Sequence, residues 1–328
     1  MTDPEARVPA ASVVVPTFNR SSLLPPLVEA LGAQQGVEDY ELIFVDDCSP
    51  DSTPSVLAEL AARSHVPLYV LRTRPEQRGR AAARNLGWRS ARAPLVAFTD
   101  DDCIPAPGWL AALVGGAAEA DVVQGLTEVI ADEVEGSGPF ARFIVITEFS
   151  WKFETCNIGY RRELLEQLEG FDPAFEHLGE DIDLGYRALE AGARARWCPG
   201  AVVHHRVESS ESRLADWANW LRYTRRCESA PLVVKRNPGW RVHLFARLFY
   251  KPYHAYVVAA LGGLGLARRR PALAALMLTP WVVHRTFVEP RPARRRWLVA
   301  VLAMGFVVDA AEVVATIRGA VRYRTLLL

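Results

Sequence analysis

Cysteine is scarce and poorly placed for cross-linking. Cys48, Cys103, Cys156, Cys198 and Cys227 are odd in number, and no two are spaced C-x-x-C. This argues against a disulfide framework and against a thiolate zinc site. An apolar leader is missing too: the first ten residues, MTDPEARVPA, are polar and acidic, unlike a secretory signal. Together these features lead us to expect a reducing cytosol. No apolar run reaches the roughly 20 residues of a simple bilayer span. The loop after the first apolar run, Pro16-Thr17-Phe18-Asn19-Arg20, contains no glycine, which disfavours a metal-dependent nucleotidyltransferase built on a basic glycine-rich loop.

Net charge is also absent, since 38 Lys+Arg balance 38 Asp+Glu over 328 residues. The balance hides a division. Residues 1–200 hold 17 basic and 31 acidic side chains, and residues 201–328 hold 21 basic and 7 acidic ones. Such asymmetry marks the C-terminal part as a surface for something anionic, or as a basic cover for the acidic part. Half of the residues are hydrophobic, enough for one large core or two modest ones.

The first half alternates short apolar runs with helical periodicity. Strands are expected at Ser12–Val15, Glu41–Val45, Pro67–Leu71 and Leu95–Phe98. Helices are expected at Ser22–Gln35, Thr53–Arg63, Gly79–Ala91 and Pro107–Ala118, with an extended segment at Asp121–Ile130. The pattern implies a mostly parallel sheet covered on both faces, with ligands outside the carboxyl ends of its strands. Further on, helices are expected at Arg161–Leu168 and Asp181–Ala191 and a strand at Trp197–His205. Beyond about residue 210, Tyr253–Ala267, Pro271–Val283 and Trp297–Val308 are apolar, flanked by Arg268–Arg270 and Arg294–Arg296. Extending the last run past Asp309 and Glu312 would bury two carboxylates. In-plane or re-entrant helices therefore fit better than spans, with an ordinary helical subdomain as the alternative.

Two acidic clusters fall at strand ends. Asp100-Asp101-Asp102 follows Leu95–Phe98, and adjacent carboxylates repel unless a divalent cation relieves them. Mg2+ or Mn2+ would suit such oxygens and a bound diphosphate; a solvated helix cap is the bland alternative. Asp46-Asp47 follows Ile43-Phe44-Val45, placed to accept from ribose or base donors or to cap a turn. Arg78-Gly79-Arg80 opens the helix containing Arg84 and Asn85, either as an anion site at a helix start or as plain surface charge,. Glu180 and Asp181 open another helix with Asp183 behind them, either as macrodipole partners or as a general base. His204-His205 ends a strand, where one ring could ligate metal or simply serve the structure.

In this order, Val13 through Arg20 (VVVPTFNR), Val45-Asp46-Asp47-Cys48-Ser49, Gly79 through Gly87 (GRAAARNLG) and Asp100-Asp101-Asp102 resemble family 2 glycosyltransferases. Asn157 with Arg161-Arg162, Gly170-Phe171-Asp172 and Glu180 through Leu184 continue the resemblance, over about residues 12–206. The resemblance implies a GT-A fold in residues 1–210, followed by a helical, membrane-associated region in 211–328. It implies a nucleotide-diphosphate sugar donor, a divalent metal and inversion at the anomeric carbon. Pro16, Thr17, Asn19, Asp46 and Asp47 would then lie by the nucleotide, with Arg78, Gly79, Arg84, Asn85, Asp100 and Asp101 along the donor. Asp100, Asp102 and His204 would serve the metal. Asp181, with Glu180, matches the base position, and Asn157, Arg161 and Asp183 would face the acceptor. Expected partners are a lipid carrier or growing glycan and an anionic membrane surface at the cytoplasmic face, not nucleic acid. The implied setting is cell-envelope polysaccharide synthesis. The competing reading is a non-catalytic membrane scaffold that retains the fold.

Overall fold

The computed structural model describes residues 7–138, 140–176, 178–209, 212–288 and 298–328. Arg294–Arg296 and Trp297 lie outside the described residues. The chain divides into two compact units. The first comprises Met1–Ile130, Phe143–Glu176 and Glu180–Arg206; the second comprises Ala131–Arg142, His177–Gly179 and Val207–Leu328.

The first unit is built on one sheet. Its strands are β1 (Ala11–Thr17), β2 (Tyr40–Asp46), β3 (Leu68–Arg72), β4 (Leu95–Thr99), β5 (Cys103–Pro105), β6 (Val122–Val129), β7 (Asn157–Arg161) and β8 (Ala195–His205). The spatial order is β3-β2-β1-β4-β7-β6-β8-β5. β3, β2, β1 and β4 are mutually parallel, as the alternation of strand and helix requires. Beyond β4 the sheet is mixed: β7 runs antiparallel to both β4 and β6, β8 is parallel to β6, and β5 is antiparallel to β8. The expectation of a mostly parallel sheet therefore describes only its first half. This is the GT-A arrangement.

Strand alternation sends side chains to two opposite layers. Val13, Val15, Leu42 and Phe44 pack against α1 (Leu24–Gly32), α2 (Thr53–Arg63) and α4 (Trp109–Ala117). Val14, Ile43, Val45 and Phe98 pack against α3 (Arg80–Ser90), α6 (Arg162–Gln167) and α7 (Glu180–Glu190). Gly87 lets α3 press onto the sheet, because a Cβ there would sit 2.4 Å from Val14. With both faces buried, the strands read as continuous apolar runs.

The second unit is helical: α5 (Ala131–Gly136), α8 (Arg213–Tyr223), α9 (Ala230–Arg236), α10 (Pro252–Leu266), α11 (Pro271–Val283) and a C-terminal helix, Leu298–Tyr323. α10 and α11 form a hairpin in which Gly263 admits Ala274 and Met277 closely. The apolar run expected to stop at Val308 continues through Asp309 and Glu312 for 26 residues, long and apolar enough to cross a membrane. The cost of burying the acids is offset by partners. Asp309, 0% exposed, accepts from Trp281 Nε1 at 2.9 Å and is ion-paired with Arg285. Glu312, 5% exposed, accepts from Lys251 Nζ at 2.9 Å and the Tyr253 hydroxyl at 2.8 Å, with His254 Nε2 at 3.3 Å. A buried charge is tolerable when it is paired and hydrogen-bonded in this way.

Candidate active site

The carboxyl ends of β1, β2 and β4 form one rim, and the acidic clusters meet there. β1 and β2 pair with Thr17 beside Asp46. The Thr17 hydroxyl donates to Asp101 Oδ2 at 2.7 Å, tying β1 to the loop after β4. Burial, followed by the charge of Asp102, pushes the Asp101 carboxyl up to about 7, against the opposing pull of the Thr17 hydrogen bond.

Asp46 and Asp47 differ in what they have left to offer. Asp46 Oδ1 accepts from the Ser49 amide at 3.0 Å. Its Oδ2 is buried, with Arg72 Nε 3.2 Å away but off the line of a hydrogen bond. Asp47 is occupied by the chain itself, accepting from Thr73 Oγ1 at 2.7 Å and from the Gly79 amide at 2.9 Å. Gly79, at φ +118°, has a backbone that other residues rarely adopt,. Asp47 thus latches the start of α3. Asn19, at φ +57°, hangs from Ser49 Oγ by its amide, at 2.8 Å. Pro16 precedes Thr17 in β1, and the Arg78 guanidinium stacks 5.0 Å from the exposed Phe18 ring.

The centre of the site is an ion network. Arg84, only 3% exposed, donates through Nη1 to Glu180 Oε1 at 2.8 Å and through Nη2 to Asp100 Oδ1 at 3.0 Å. Asp181 Oδ1 accepts from the Ile182 amide at 2.9 Å. Burial first, and then the charge of Glu180, hold the Asp181 carboxyl well above the ordinary range, with Arg84 opposing. The next charge in that series is Glu154, which itself accepts from Gln124 at 3.2 Å.

At the other side of the rim, β5 pairs with β8 so that Cys103 faces His205. His205 Nε2 lies 3.6 Å from Asp102 Oδ1. Its Nδ1 sits 2.7 Å from the Arg206 carbonyl. A carbonyl only accepts, so Nδ1 is the donor there, and Nε2 is the ring atom turned toward the Asp102 carboxylate,. One ligand atom each from Asp102, Cys103 and His205 lies within 4.8 Å of the others. Burial holds the Cys103 thiol protonated, well above its ordinary value. A carboxylate, a thiol and an imidazole are thus gathered at one place, a donor set that suits a divalent cation,.

The other residues expected at the site are engaged within the protein. Arg84 is buried with Nη1 on Glu180 and Nη2 on Asp100. Asn85 clamps the Phe171 segment: its Nδ2 donates to the Phe171 carbonyl at 2.7 Å, and its Oδ1 accepts from the Phe171 amide at 2.9 Å and Trp88 Nε1 at 2.8 Å. Asn157, 0% exposed, donates to the Leu126 and Ala201 carbonyls and accepts from Trp109 Nε1, each at 2.8 Å. Arg161 pairs with Leu95 at the start of β4, the opposite end from the acidic rim, and caps α4 through the Ala117 carbonyl at 2.8 Å. Asp183 is bound to Arg187 at 2.7 Å within α7. His204 points away from Asp102, toward Glu128 at 3.9 Å. His205, rather than His204, lies beside Asp102. Thr73 was missed; it follows β3 at the same rim, and the rule that ligands gather at strand ends would have found it.

Two family models match the sequence. The glycosyl transferase family 2 model covers residues 12–169, and the glycosyl transferase family group 2 model covers residues 96–308. The pre-mycofactocin glycosyltransferase of Mycobacterium tuberculosis is 32% identical over 221 residues, 63% of this chain and 44% of that protein. The validoxylamine A glucosyltransferase of Streptomyces hygroscopicus is 31% identical over 221 residues, 56% of this chain and 52% of that protein. The chain thus spans about half the length of these curated relatives. Among solved structures, a mannosyltransferase from Pyrobaculum calidifontis, in complex with GDP-Man and Mn2+, superposes with a TM-score of 0.58 at 21% identity, covering 97% of this chain and 87% of that one.

Proposed function

We propose, for a chain that belongs to the family 2 glycosyltransferases, that it moves a sugar from a nucleotide-diphosphate donor to an acceptor hydroxyl by one inverting displacement. The observation that carries this is the meeting of Asp100, just after β4, with Glu180, which opens α7 beside Asp181, through a shared buried arginine. Asp46, Asn19 and the Arg78-Gly79 turn lie where a nucleotide would rest, as the rule for strand ends expects. Asp102 and His205 would hold a divalent cation, Mg2+ or Mn2+, whose charge offsets that of the departing diphosphate. Asp181 takes the proton from the acceptor hydroxyl as the acceptor oxygen bonds to the anomeric carbon and the bond to the diphosphate breaks. Glu180 and Asp100, both held by Arg84, keep the two halves of the site in register. The Mn2+ complex of the mannosyltransferase neighbour supports the metal reading.

A panel of nucleotide sugars tested by thermal shift with Mn2+ checks the proposal, because a ligand that binds only the folded state raises its melting temperature. One sugar nucleotide should stabilise the chain with Mn2+ and lose that effect in chelator. His205→Ala should weaken Mn2+-dependent binding at least about tenfold, while His204→Ala should not. Equal losses from both variants would overturn the assignment.

The catalytic domain of this reading is residues 1–210, and residues 211–328 are its membrane-associated partner. The α10–α11 hairpin exposes Val258, Leu261, Leu264, Leu273 and Leu276, and its turn exposes Arg268–Arg270. Arginines near an anionic leaflet contribute about 1 kcal/mol each, and the apolar side chains can enter the acyl boundary. The enzyme would then work at the cytoplasmic face of the membrane on a lipid carrier or growing glycan, in cell-envelope polysaccharide synthesis. The protein should float with liposomes in proportion to their anionic content. Sedimentation with every lipid mixture would remove the membrane reading.

A further inference from the structure

β7 is entered through a tight turn that no step of the proposed reaction uses. Its first residue, Ser150, receives the Phe153 amide on its carbonyl at 3.1 Å and anchors its own amide on Gln124 Oε1 at 2.7 Å. Phe153 takes φ +53°, an unfavourable backbone for a bulky side chain, and its ring is fully buried,. It fills the space left by Gly185 in α7, where a Cβ would sit 2.2 Å from the ring. What the turn holds out is Trp151, 47% exposed. The indole is braced by edge-to-face contacts running back to α7: Trp151 to Phe149 at 5.2 Å, Phe149 to Phe153 at 5.6 Å, and Phe153 to Tyr186 at 6.2 Å. α7 is the helix that carries Asp181 in its first turn. Three residues after Trp151 stands Glu154, whose charge acts on Asp181.

A half-exposed indole, on a turn whose ring contacts lead back to the helix of the proposed base, calls for an occupant. A pyranose ring has the matching form. Its C–H bonds gather on one face and meet the negative face of an indole, while hydroxyls ring its edge. An alkyl alcohol offers no such plate, and a nucleotide would lie at Asp46, on the far side of β1 from β7. We propose that Trp151 is the platform of an acceptor subsite and that the acceptor presents a sugar ring to Asp181. This deepens the transferase reading, and rests on it for the side from which the acceptor approaches.

The test uses the full chain and two soluble probes, methyl β-D-glucopyranoside and methyl β-D-mannopyranoside, with 1-propanol as the ringless control. Saturation-transfer NMR should reach the C–H protons of a glycoside with the wild type but not those of propanol, and Trp151→Ala should abolish the effect. In transfer assays with the donor that stabilises the protein most, Trp151→Ala should raise the acceptor KM about tenfold and move the donor KM less than about twofold. Trp151→Phe should recover most of the loss, and serves as the working variant if the alanine form does not fold. Equal saturation transfer with wild type and Trp151→Ala overturns the proposal. So does a Trp151→Ala protein that loses flotation on phosphatidylglycerol vesicles while binding glycosides normally, since the indole would then face lipid. Wild type that binds a glycoside through Trp151 but transfers no sugar to it supports the subsite and counts against the transfer reaction.

Discussion

Arg84→Ala should destabilise the first unit by about 3–5 kcal/mol, the usual cost of leaving one side of a buried ion pair without its counterion. The guanidinium is the shared partner of Glu180 and Asp100, and its removal leaves a buried carboxylate facing a second acid. Arg84→Lys keeps the charge but loses the planar fork that reaches two carboxylates at once, so it should recover only part of the loss. Urea denaturation measures both. The double variant Arg84→Ala/Glu180→Gln should be more stable than the sum of the single changes predicts, because the second substitution removes the stranded charge. An Arg84→Ala protein with the wild-type denaturation midpoint would show that the network is solvated.

Asp181→Asn should cut turnover by a factor on the order of 10² or more while donor affinity stays nearly unchanged. The amide keeps the size and the hydrogen-bond acceptor facing the Ile182 amide but cannot accept a proton. The pH dependence follows from the environment of this carboxyl. Burial and Glu180 raise its pKa, so the ionised, proton-accepting form is lost as pH falls through that raised value. The acid limb of the turnover profile should therefore lie above the ordinary carboxylate range, and it should be absent from the residual activity of Asp181→Asn. A full-rate Asp181→Asn enzyme, or an acid limb at the usual carboxylate value, would assign the proton to another group.

The parallel half of the fold was legible because its signals are local. α2 was expected at Thr53–Arg63 and is found there, and β1, β2 and β4 are apolar runs closed by polar rims. β5 and β7 were not legible. Each has only a few residues and is made a strand by partners far along the chain, β7 by β4 and β6 and β5 by β8. The acidic clusters could be located because they close apolar runs at the carboxyl edge of a parallel sheet, although Asp47 shows that an acid there has structural uses too. Asparagine has many, and position alone does not separate an Asn85 or Asn157 that meets a ligand from one that satisfies backbone groups. The choice between His204 and His205 needs the strand's facing. Between β6 and β8, however, the register jumps from Gly125–Cys198 to Leu126–Val202, so alternation counted from the start of β8 does not reach the histidines. The C-terminal helix was cut short at Val308 because the partners of Asp309 and Glu312 are tertiary.

Those partners also fix an order of synthesis. Lys251, Tyr253 and His254 precede Glu312 by 58 to 61 residues, and Trp281 and Arg285 precede Asp309 by 28 and 24. When the ribosome reaches this 26-residue helix, these cations and donors have already been made. The helix is thus born with its countercharges waiting, and its carboxylates need never be desolvated alone.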